Sequence, residues 1–293
     1  MISDVSSFSS EQLSDLIETV VFLADHDKVG LQVLEKRIFG QVTGISRMTY
    51  PLNVMIQRQK ILGVNYPFQL TEVSVQRIRK MHESWYASLL ALSPKTLMRT
   101  KMSPKDIAAC AELFEKISTI AVRQLLGFDA KALRFAWPSD CGRPVEFPDA
   151  INWLAEKMGL CVGGYLPPRR KDGGVDIVGW QNFGDRRTGF PILLGQCTVQ
   201  EDFLSKTLDI DLKNWGQWLK TQRDPMTALL LPSIIPGRGE DWNEIAQKHI
   251  VLDRIRLSRL LSQSSSSTQS IPGLTEFVTS IFARVQKSLN IDY

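Results

Sequence analysis

A short segment, residues 171–206, contains the side chains of this chain that are best suited to metal chemistry. Asp176 lies in the β-branched run Val-Asp-Ile-Val, which follows two glycines, and Gln196 lies near the end of a second apolar run, Pro-Ile-Leu-Leu-Gly-Gln-Cys-Thr. Lys206 follows Gln196 by ten residues. Carboxylate and amide oxygens are hard ligands of the kind that Mg²⁺ and Mn²⁺ prefer. The residue types therefore indicate a site for one of these cations.

The elements around these residues predict that they lie close together. Short β-branched runs bounded by glycines are typical of strands, and the intervening residues 182–189 are polar and contain glycines. We therefore expect a β-hairpin that brings Asp176 and Gln196 to one edge of a sheet. Each residue also has a simpler interpretation. Asp176 would satisfy a turn at a strand end, and Gln196 would hydrogen-bond at a sheet edge.

The order of acidic residue, hairpin, Glu or Gln, and Lys resembles the PD-(D/E)xK nuclease superfamily, which includes type II restriction enzymes, Mrr-like enzymes and Holliday-junction resolvases. The sequence Asp-Gly-Gly-Val-Asp at residues 172–176 is similar to the DGGxD motif of Mrr-like members, and Gln196 stands where many of them carry Gln instead of Glu. The superfamily lysine usually lies two residues later, where this chain has Thr198. A migrated lysine, here Lys206, resembles the version in uncharacterised prokaryotic proteins associated with phage defence.

The resemblance implies a set of metal ligands. Asp176 would bind Mg²⁺ or Mn²⁺ directly, and the side-chain oxygen of Gln196 would bind the metal or orient a metal-bound water. The backbone carbonyl of Cys197 would join them, and Asp172 would be an auxiliary ligand. The Cys197 side chain is predicted to point to the opposite face of the sheet, as a small core residue.

Lys206 would position the attacking water and offset the charge of the phosphate. Its place depends on where the next helix begins. A single helix over residues 204–219 would put Lys206 on a solvated face, opposite an apolar stripe. Alternatively, Asp209 or Asp211 caps a second helix and leaves residues 201–207 as a short turn that delivers Lys206 to the site.

The superfamily also uses an acidic residue from the helix before the first strand of its sheet. We expect a helix over residues 149–158 and the first strand over residues 160–165. These predictions place the acid near Pro148, and Glu146 is the preferred candidate.

Two clusters of basic residues accompany the motif. Arg169, Arg170 and Lys171 directly precede it, and Arg186 and Arg187 lie in the predicted hairpin loop. Both clusters could neutralise DNA phosphates beside a cleavage site. Solvated loop charge is an equally good interpretation of either cluster alone.

The hydrophobic pattern divides the chain into three parts. Residues 1–135 show helical periodicity and predict an all-helical domain for recognition, dimerisation or partner binding. Residues 136–262 alternate helices and strands, with further strands at 226–231 and 249–252, and the resemblance implies a nuclease-like domain there. Residues 263–293 are a serine-rich linker followed by an amphipathic helix. The expected fold class is α/β (mixed α+β), with a restriction endonuclease-like mixed sheet flanked by helices.

A charged motif ends the predicted nuclease-like domain. In Asp-Arg-Ile-Arg, residues 253–256, the arginines could contact the DNA backbone or form an internal ion pair. Such a motif at a strand-to-helix transition is more often structural, with Asp253 as the N-cap.

Composition narrows the remaining classes. The 293-residue chain is 43% hydrophobic, as is ordinary for a globular protein. It has no signal-peptide pattern and no apolar run long enough for a membrane helix, so we expect a cytoplasmic protein. Its four cysteines are widely spaced and its three histidines lie apart from them, which argues against a zinc site or a disulfide framework. The net charge of +4 is weak support for nucleic-acid binding.

These features predict a Mg²⁺-dependent endonuclease that acts on DNA in a prokaryotic anti-phage defence or restriction system. We expect a homo-oligomer with protein partners in such a system and no membrane association. An alternative is a nuclease fold that has lost catalysis and serves as a DNA-binding or complex-assembly module, which Thr198 and Gln196 favour. A third is a structural partner protein whose helical half does the work.

Overall fold

The protein folds into two compact units, seen in a computed structural model that describes residues 8–42, 46–93, 96, 102–164, 172–205, 210–235 and 239–289. Unit 1 consists of Met1–Ala108, Pro232–Pro236 and Arg254–Tyr293. Unit 2 consists of Ala109–Leu231 and Gly237–Asp253. These boundaries differ from the predicted ones, which follow residues 135 and 262.

The N-terminal part of unit 1 combines helices with a small antiparallel sheet, ordered β1-β3-β2. Val75 of β3 lies opposite Val29 of β1 and Leu70 of β2. The prediction of an all-helical N-terminal domain is therefore wrong. Strands of three or four residues are too short for an alternating pattern to be distinguished from the helical periodicity around them. The elements are α1 (Ser10–Leu23), β1 (Lys28–Gly30), α2 (Leu31–Phe39), α3 (Ser46–Leu62), β2 (Phe68–Leu70), β3 (Ser74–Arg77) and α4 (Trp85–Ala91).

Unit 2 contains a five-stranded mixed sheet, ordered β4-β5-β6-β7-β8. The pairs β4–β5 and β5–β6 are antiparallel, and β6–β7 and β7–β8 are parallel. A mixed sheet with helices confirms the expected α/β (mixed α+β) class, and the predicted hairpin is present as β5–β6. The elements, the first of which begins in unit 1, are α5 (Pro104–Leu126), β4 (Lys131–Arg134), α6 (Phe147–Met158), β5 (Ile177–Trp180), β6 (Ile192–Cys197), α7 (Leu212–Trp218), β7 (Met226–Leu230), α8 (Glu240–Ala246) and β8 (Ile250–Leu252).

The first strand of this sheet is β4 and not the predicted segment 160–165. In the described part of that segment, Val162 forms only an isolated bridge with Leu219. Gly163 lies so close to the backbone of α7 that a Cβ atom on it would be 1.8 Å from the carbonyl oxygen of Gln217. The prediction failed because β4 has only four residues and pairs with β5, which lies more than 40 residues farther along the chain.

The chain returns to unit 1 through α9 (Arg254–Leu261) and α10 (Leu274–Ser288). The serine-rich segment between these helices is packed and is not the predicted linker. Thr268 is buried and its hydroxyl donates to the carbonyl oxygen of His82, while Ile271 is buried just before α10. None of the described helices combines the length and the apolar character that a transmembrane helix requires.

A buried arginine ties α9 to the first helix of the chain. Arg254 is fully buried and donates two parallel hydrogen bonds to Asp15, from Nη1 to Oδ1 at 2.9 Å and from Nη2 to Oδ2 at 2.8 Å. Its Nε–H donates to the carbonyl oxygen of Pro232 at 2.8 Å. Burial opposes the charge on Asp15, but Arg254 and Arg58 outweigh it and lower the pKa of this carboxyl. Of the two interpretations of the 253–256 motif, the internal ion pair is therefore correct for Arg254.

A second buried carboxylate, Glu18, completes this network. Arg58 Nη1 donates to Glu18 Oε1 at 2.8 Å, and the hydroxyl of Tyr66 donates to the same oxygen at 2.6 Å. The Tyr86 hydroxyl lies 2.9 Å from both oxygens of Glu18. Burial raises the pKa of Glu18, and Arg58 offsets this only in part. The network satisfies charges that would be costly to bury alone.

Because Arg254 compensates a largely buried carboxylate, we expect Arg254→Met to destabilise unit 1 by about 3–5 kcal/mol. Urea unfolding followed by far-UV circular dichroism measures this loss. The control Arg259→Ala, at an exposed position of the same helix, should change the free energy of unfolding by less than about 0.5 kcal/mol. An Arg254→Met variant as stable as this control would show that the ion pair contributes nothing net.

The four cysteines fall into two classes of reactivity. Cys110 and Cys197 are buried, whereas Cys141 and Cys161 are exposed. Burial raises the pKa of Cys110 to about 12, and burial together with the nearby Asp176 raises the pKa of Cys197 well above its usual value. Thiolates are the reactive form, so these two side chains should be inert.

We therefore expect a thiol-reactive dye at pH 8 to label two cysteines in the native protein and all four in urea. The exposed pair should react first, and mass spectrometry of labelled peptides identifies it. Rapid labelling of Cys197 in the native protein would contradict its burial beside Asp176.

Candidate functional site

The turn that leads into β5 is fixed by an aromatic layer. Gly173 has φ +63°, and a Cβ atom there would lie 2.9 Å from the ring of Trp218 and 3.2 Å from the ring of Phe147. Only glycine fits this backbone without strain. The indole N–H of Trp215 donates to the Gly173 carbonyl oxygen at 3.1 Å. The two glycines of the motif thus let the chain pass closely over α6 and α7.

Asp176 lies one residue before β5, and both neighbouring strands hold its backbone. Its N–H donates to the carbonyl oxygen of Gly195 at 2.9 Å. Its own carbonyl oxygen accepts from the N–H groups of Phe135 at 2.6 Å and Ala136 at 3.0 Å. The backbone of Asp176 is therefore anchored on both sides, which sets the direction of its side chain.

The side chain of Asp176 turns towards the end of β6. Its Oδ2 accepts from Gln196 Nε2 at 2.8 Å and from the backbone N–H of Cys197 at 2.7 Å. Asp176 is 8% exposed and Gln196 6%. The predicted pair is thus brought together, at the ends of two inner strands and not at a lateral edge of the sheet.

One polar atom of this pair stands out. The side-chain oxygen of Gln196, Oε1, is buried and accepts no hydrogen bond from any described residue. A buried acceptor without a donor is rare in native proteins, and a bound ion or water is a usual partner of such an atom. The amide orientation follows from the hydrogen bond of Nε2 to Asp176, which fixes Oε1 as the free acceptor.

The candidate ligands are oxygen atoms of the kind that bind a hard cation, but only one of them, the Asp176 carboxylate, carries a negative charge. They are the carboxylate of Asp176, the amide oxygen of Gln196 and the carbonyl oxygen of Cys197, which lies 3.5 Å from Gln196 Nε2. All are oxygen ligands of the type that Mg²⁺ or Mn²⁺ takes. Among the described residues, however, no three His, Cys, Asp or Glu side chains form a group that could hold a metal. We therefore expect weak binding of the cation.

The side chain of Asp172 accepts a hydrogen bond within its own turn. Its Oδ1 accepts from the N–H of Gly174 at 2.9 Å, and its carbonyl oxygen accepts from the N–H of Val175 at 3.3 Å. These contacts give the Asp172 side chain a structural role in the turn before Asp176. They leave its predicted role as an auxiliary ligand without direct support.

A residue that the sequence did not single out, Glu115, is the buried acid of the helix before the first strand. It lies on α5, is 9% exposed, and its Oε2 accepts from Arg134 Nε at 2.5 Å. Burial raises the pKa of Glu115; Arg134 lowers it in part and Asp172 raises it further. Glu146, the predicted acid, is exposed at the N-cap of α6, which does not precede the first strand. The sequence signal for Glu115 was its position on the buried face of α5, seven residues before Val122.

The region of the predicted lysine is described only in part. Thr198, at the usual lysine position, is buried and its N–H donates to the carbonyl oxygen of Leu230 at 3.0 Å. Lys206 lies outside the described residues. Helix α7 begins at Leu212, and Asp211 caps it by accepting from the Asn214 N–H at 3.2 Å. A single helix over 204–219 is therefore excluded, and the expected separate helix with Asp211 as its cap is confirmed. The delivery of Lys206 to the site stays a prediction.

Only one of the two basic clusters lies within the described residues. Arg169, Arg170 and Lys171 lie outside the described residues. Arg186 and Arg187 are exposed in the loop that joins β5 to β6. Because β5 has four residues, this loop lies about 13 Å from Asp176 along the hairpin, at its opposite end. The structure therefore does not bring Arg186 and Arg187 beside the Asp176 and Gln196 pair.

Comparison with family models, with curated proteins and with solved structures found no match to this chain. The resemblance to the PD-(D/E)xK superfamily thus rests on the motif, on the hairpin that presents it and on the mixed sheet around it. Within the described residues, the chemistry of the site is carried by Asp176 and Gln196.

We expect Gln196→Glu to make the folded protein respond to divalent cations. The new carboxylate would replace the hydrogen bond from Nε2 by repulsion against Asp176 in a buried space. In EDTA, the variant should unfold at a temperature roughly 4–8 °C below the wild type. Millimolar Mg²⁺ or Mn²⁺ should restore more stability to the variant than to the wild type, as measured by thermal unfolding.

The matched control for this test is Gln217→Glu, at an exposed position of α7. It adds the same charge to unit 2 and should leave both the unfolding temperature and its response to cations unchanged. Equal responses of the two variants would argue against a cation at Gln196.

Proposed function

We propose that the chain is a cytoplasmic, Mg²⁺- or Mn²⁺-dependent endonuclease that hydrolyses DNA phosphodiester bonds. The observation that carries the proposal is the buried Oε1 of Gln196, which accepts no hydrogen bond from a described residue and belongs to the side chain that contacts the Asp176 carboxylate. A cation is the partner that both oxygens favour. DNA as the substrate, a place in a prokaryotic anti-phage defence or restriction system, protein partners there and a homo-oligomeric state follow from the motif resemblance.

In this proposal Asp176 and Gln196 hold the metal, with the Cys197 carbonyl as a third ligand. When bound, Mg²⁺ or Mn²⁺ would polarise the phosphate and lower the pKa of a bound water. The N–H of Cys197 keeps the Asp176 carboxylate in place before the metal binds. Lys206 would position the attacking water and offset the charge of the phosphate.

A second candidate function is a DNA-binding or assembly module that has lost catalysis. Three observations favour it. The charge of Glu115 is compensated by Arg134, the usual lysine position holds buried Thr198, and the described residues hold no cluster of acidic metal ligands. In this version Asp176 acts only as the acceptor that ends β6.

Cleavage of plasmid and linear DNA by the purified protein, with Mg²⁺ or Mn²⁺, separates the two candidates. Asp176→Asn keeps an acceptor for the Cys197 N–H but loses the charge, so it should lower the cleavage rate by about a hundredfold or more. Lys206→Ala should lower the rate by a similar factor. Asp185→Asn, at an exposed position of the hairpin loop, is the control and should cut like the wild type.

The proposal is wrong if neither cation supports cleavage or if both site variants cut normally. In the first case, a gel-shift assay decides the second candidate. DNA binding that survives in Asp176→Asn would support a DNA-binding module, and no binding by the wild type would exclude that form and leave the assembly module.

A further inference from the structure

Unit 1 contains a polar cavity that the proposed nuclease site does not use. It has a volume of about 350 Å³, within the range of small-molecule pockets. Its walls are the loop that carries Arg79 and residues 82–84, the start of α4 at Trp85 and Tyr86, the serine-rich segment from Ser262 to Gln269, and Asn65. All of these residues belong to unit 1. The packed serine-rich segment, which the sequence suggested to be a linker, is therefore one wall of a pocket.

Arg79 supplies the positive charge of the cavity lining. Arg79 and His82 also line a neighbouring cavity of about 550 Å³, whose lining adds Arg77 and Lys80 as well as Asp27. The Nε–H of Arg79 donates to the carbonyl oxygen of Val64 at 3.0 Å, which holds the guanidinium while its remaining N–H groups can serve a ligand. Glu83 also lines the cavity, and its Oε1 lies 3.7 Å from His82 Nε2, so it offsets part of this charge. The guanidinium of Arg79 is the group that suits a phosphate.

The rest of the lining suits a nucleoside. Trp85 is half-buried at the cavity and offers a flat ring against which a base can stack. The side-chain amides of Asn65 and Gln269 can donate to and accept from the edge of a base. Hydroxyl groups from Ser266 and Ser267 also line the cavity. Such groups bind sugar hydroxyls and phosphate oxygens alike.

We propose that this cavity binds a nucleoside monophosphate, with the phosphate at Arg79 and His82 and the base against Trp85. Its size excludes a long oligonucleotide but accommodates one nucleotide. Arg79 lies in the loop before α4 and Trp85 at the start of α4, so the phosphate and the base would have separate contacts.

Isothermal titration of the full chain in EDTA, with AMP, GMP, CMP and UMP as probes, tests the proposal. At least one of them should bind saturably with one ligand per chain. Arg79→Ala should weaken this binding tenfold or more, because it removes a charge-assisted contact. Arg259→Ala removes an exposed arginine of unit 1 that does not line the cavity and should bind within about twofold of the wild type. The unphosphorylated nucleoside should bind at least tenfold more weakly than its monophosphate.

Tryptophan fluorescence gives a second readout. Trp85 is the single tryptophan of unit 1 among the seven of the chain. Binding should quench emission in the wild type, and Trp85→Phe should keep most of the affinity but lose the quench. No saturable binding of any monophosphate, full affinity in Arg79→Ala, or a nucleoside that binds as tightly as its monophosphate would each overturn the proposal.

The outcome does not depend on the nuclease site. The titration contains no divalent cation, and Asp176→Asn should bind the nucleotide like the wild type. A binding that Asp176→Asn abolishes would assign the ligand to the Asp176 site and contradict the cavity in unit 1.

Discussion

Unit 1 depends on the bidentate pair between Arg254 and Asp15, which joins positions 239 residues apart in the sequence. A guanidinium with no exposed surface is tolerated only where carboxylates and carbonyls satisfy it, and here Asp15 and the Pro232 carbonyl do so. The same network holds Tyr86 through Glu18. Because Tyr86 of α4 also lines the polar cavity, the buried charges support one wall of that cavity.

In unit 2, one carboxylate has a structural and a chemical role at the same time. Asp176 accepts the Cys197 N–H at the point where β6 leaves its pairing with β5, so the hairpin needs an acceptor there whether or not a metal binds. The presence of this aspartate therefore does not distinguish an active nuclease from an inactive scaffold. Gln196 distinguishes the two better than Asp176 does. Its Nε2 donates to Asp176, whereas its Oε1 accepts no hydrogen bond from a described residue.

What could be predicted from the sequence was local. The glycines before Asp176 and the β-branched run around it predict a strand, and Asp211 predicts the start of a helix. Each of these residues acts on its immediate neighbours in the sequence. Glu115 was missed because its importance depends on Arg134 and on a strand too short to leave a pattern. The packing of Thr268 was equally hidden, since its partner lies 186 residues away. Composition alone describes that segment as a linker.

The order of segments along the chain has a consequence for biosynthesis. Unit 1 is interrupted by unit 2, so helix α1 leaves the ribosome long before the arginine that neutralises its Asp15. About 145 residues separate the first part of unit 1 from α9, and at 5–20 residues per second this interval lasts roughly 7–30 s. During that time unit 2 can assemble its sheet as far as β7, because β8 lies directly before α9, whereas the early helices expose apolar surface and a carboxylate pair that only Arg58 compensates. Unit 1 is therefore completed only when α9 emerges.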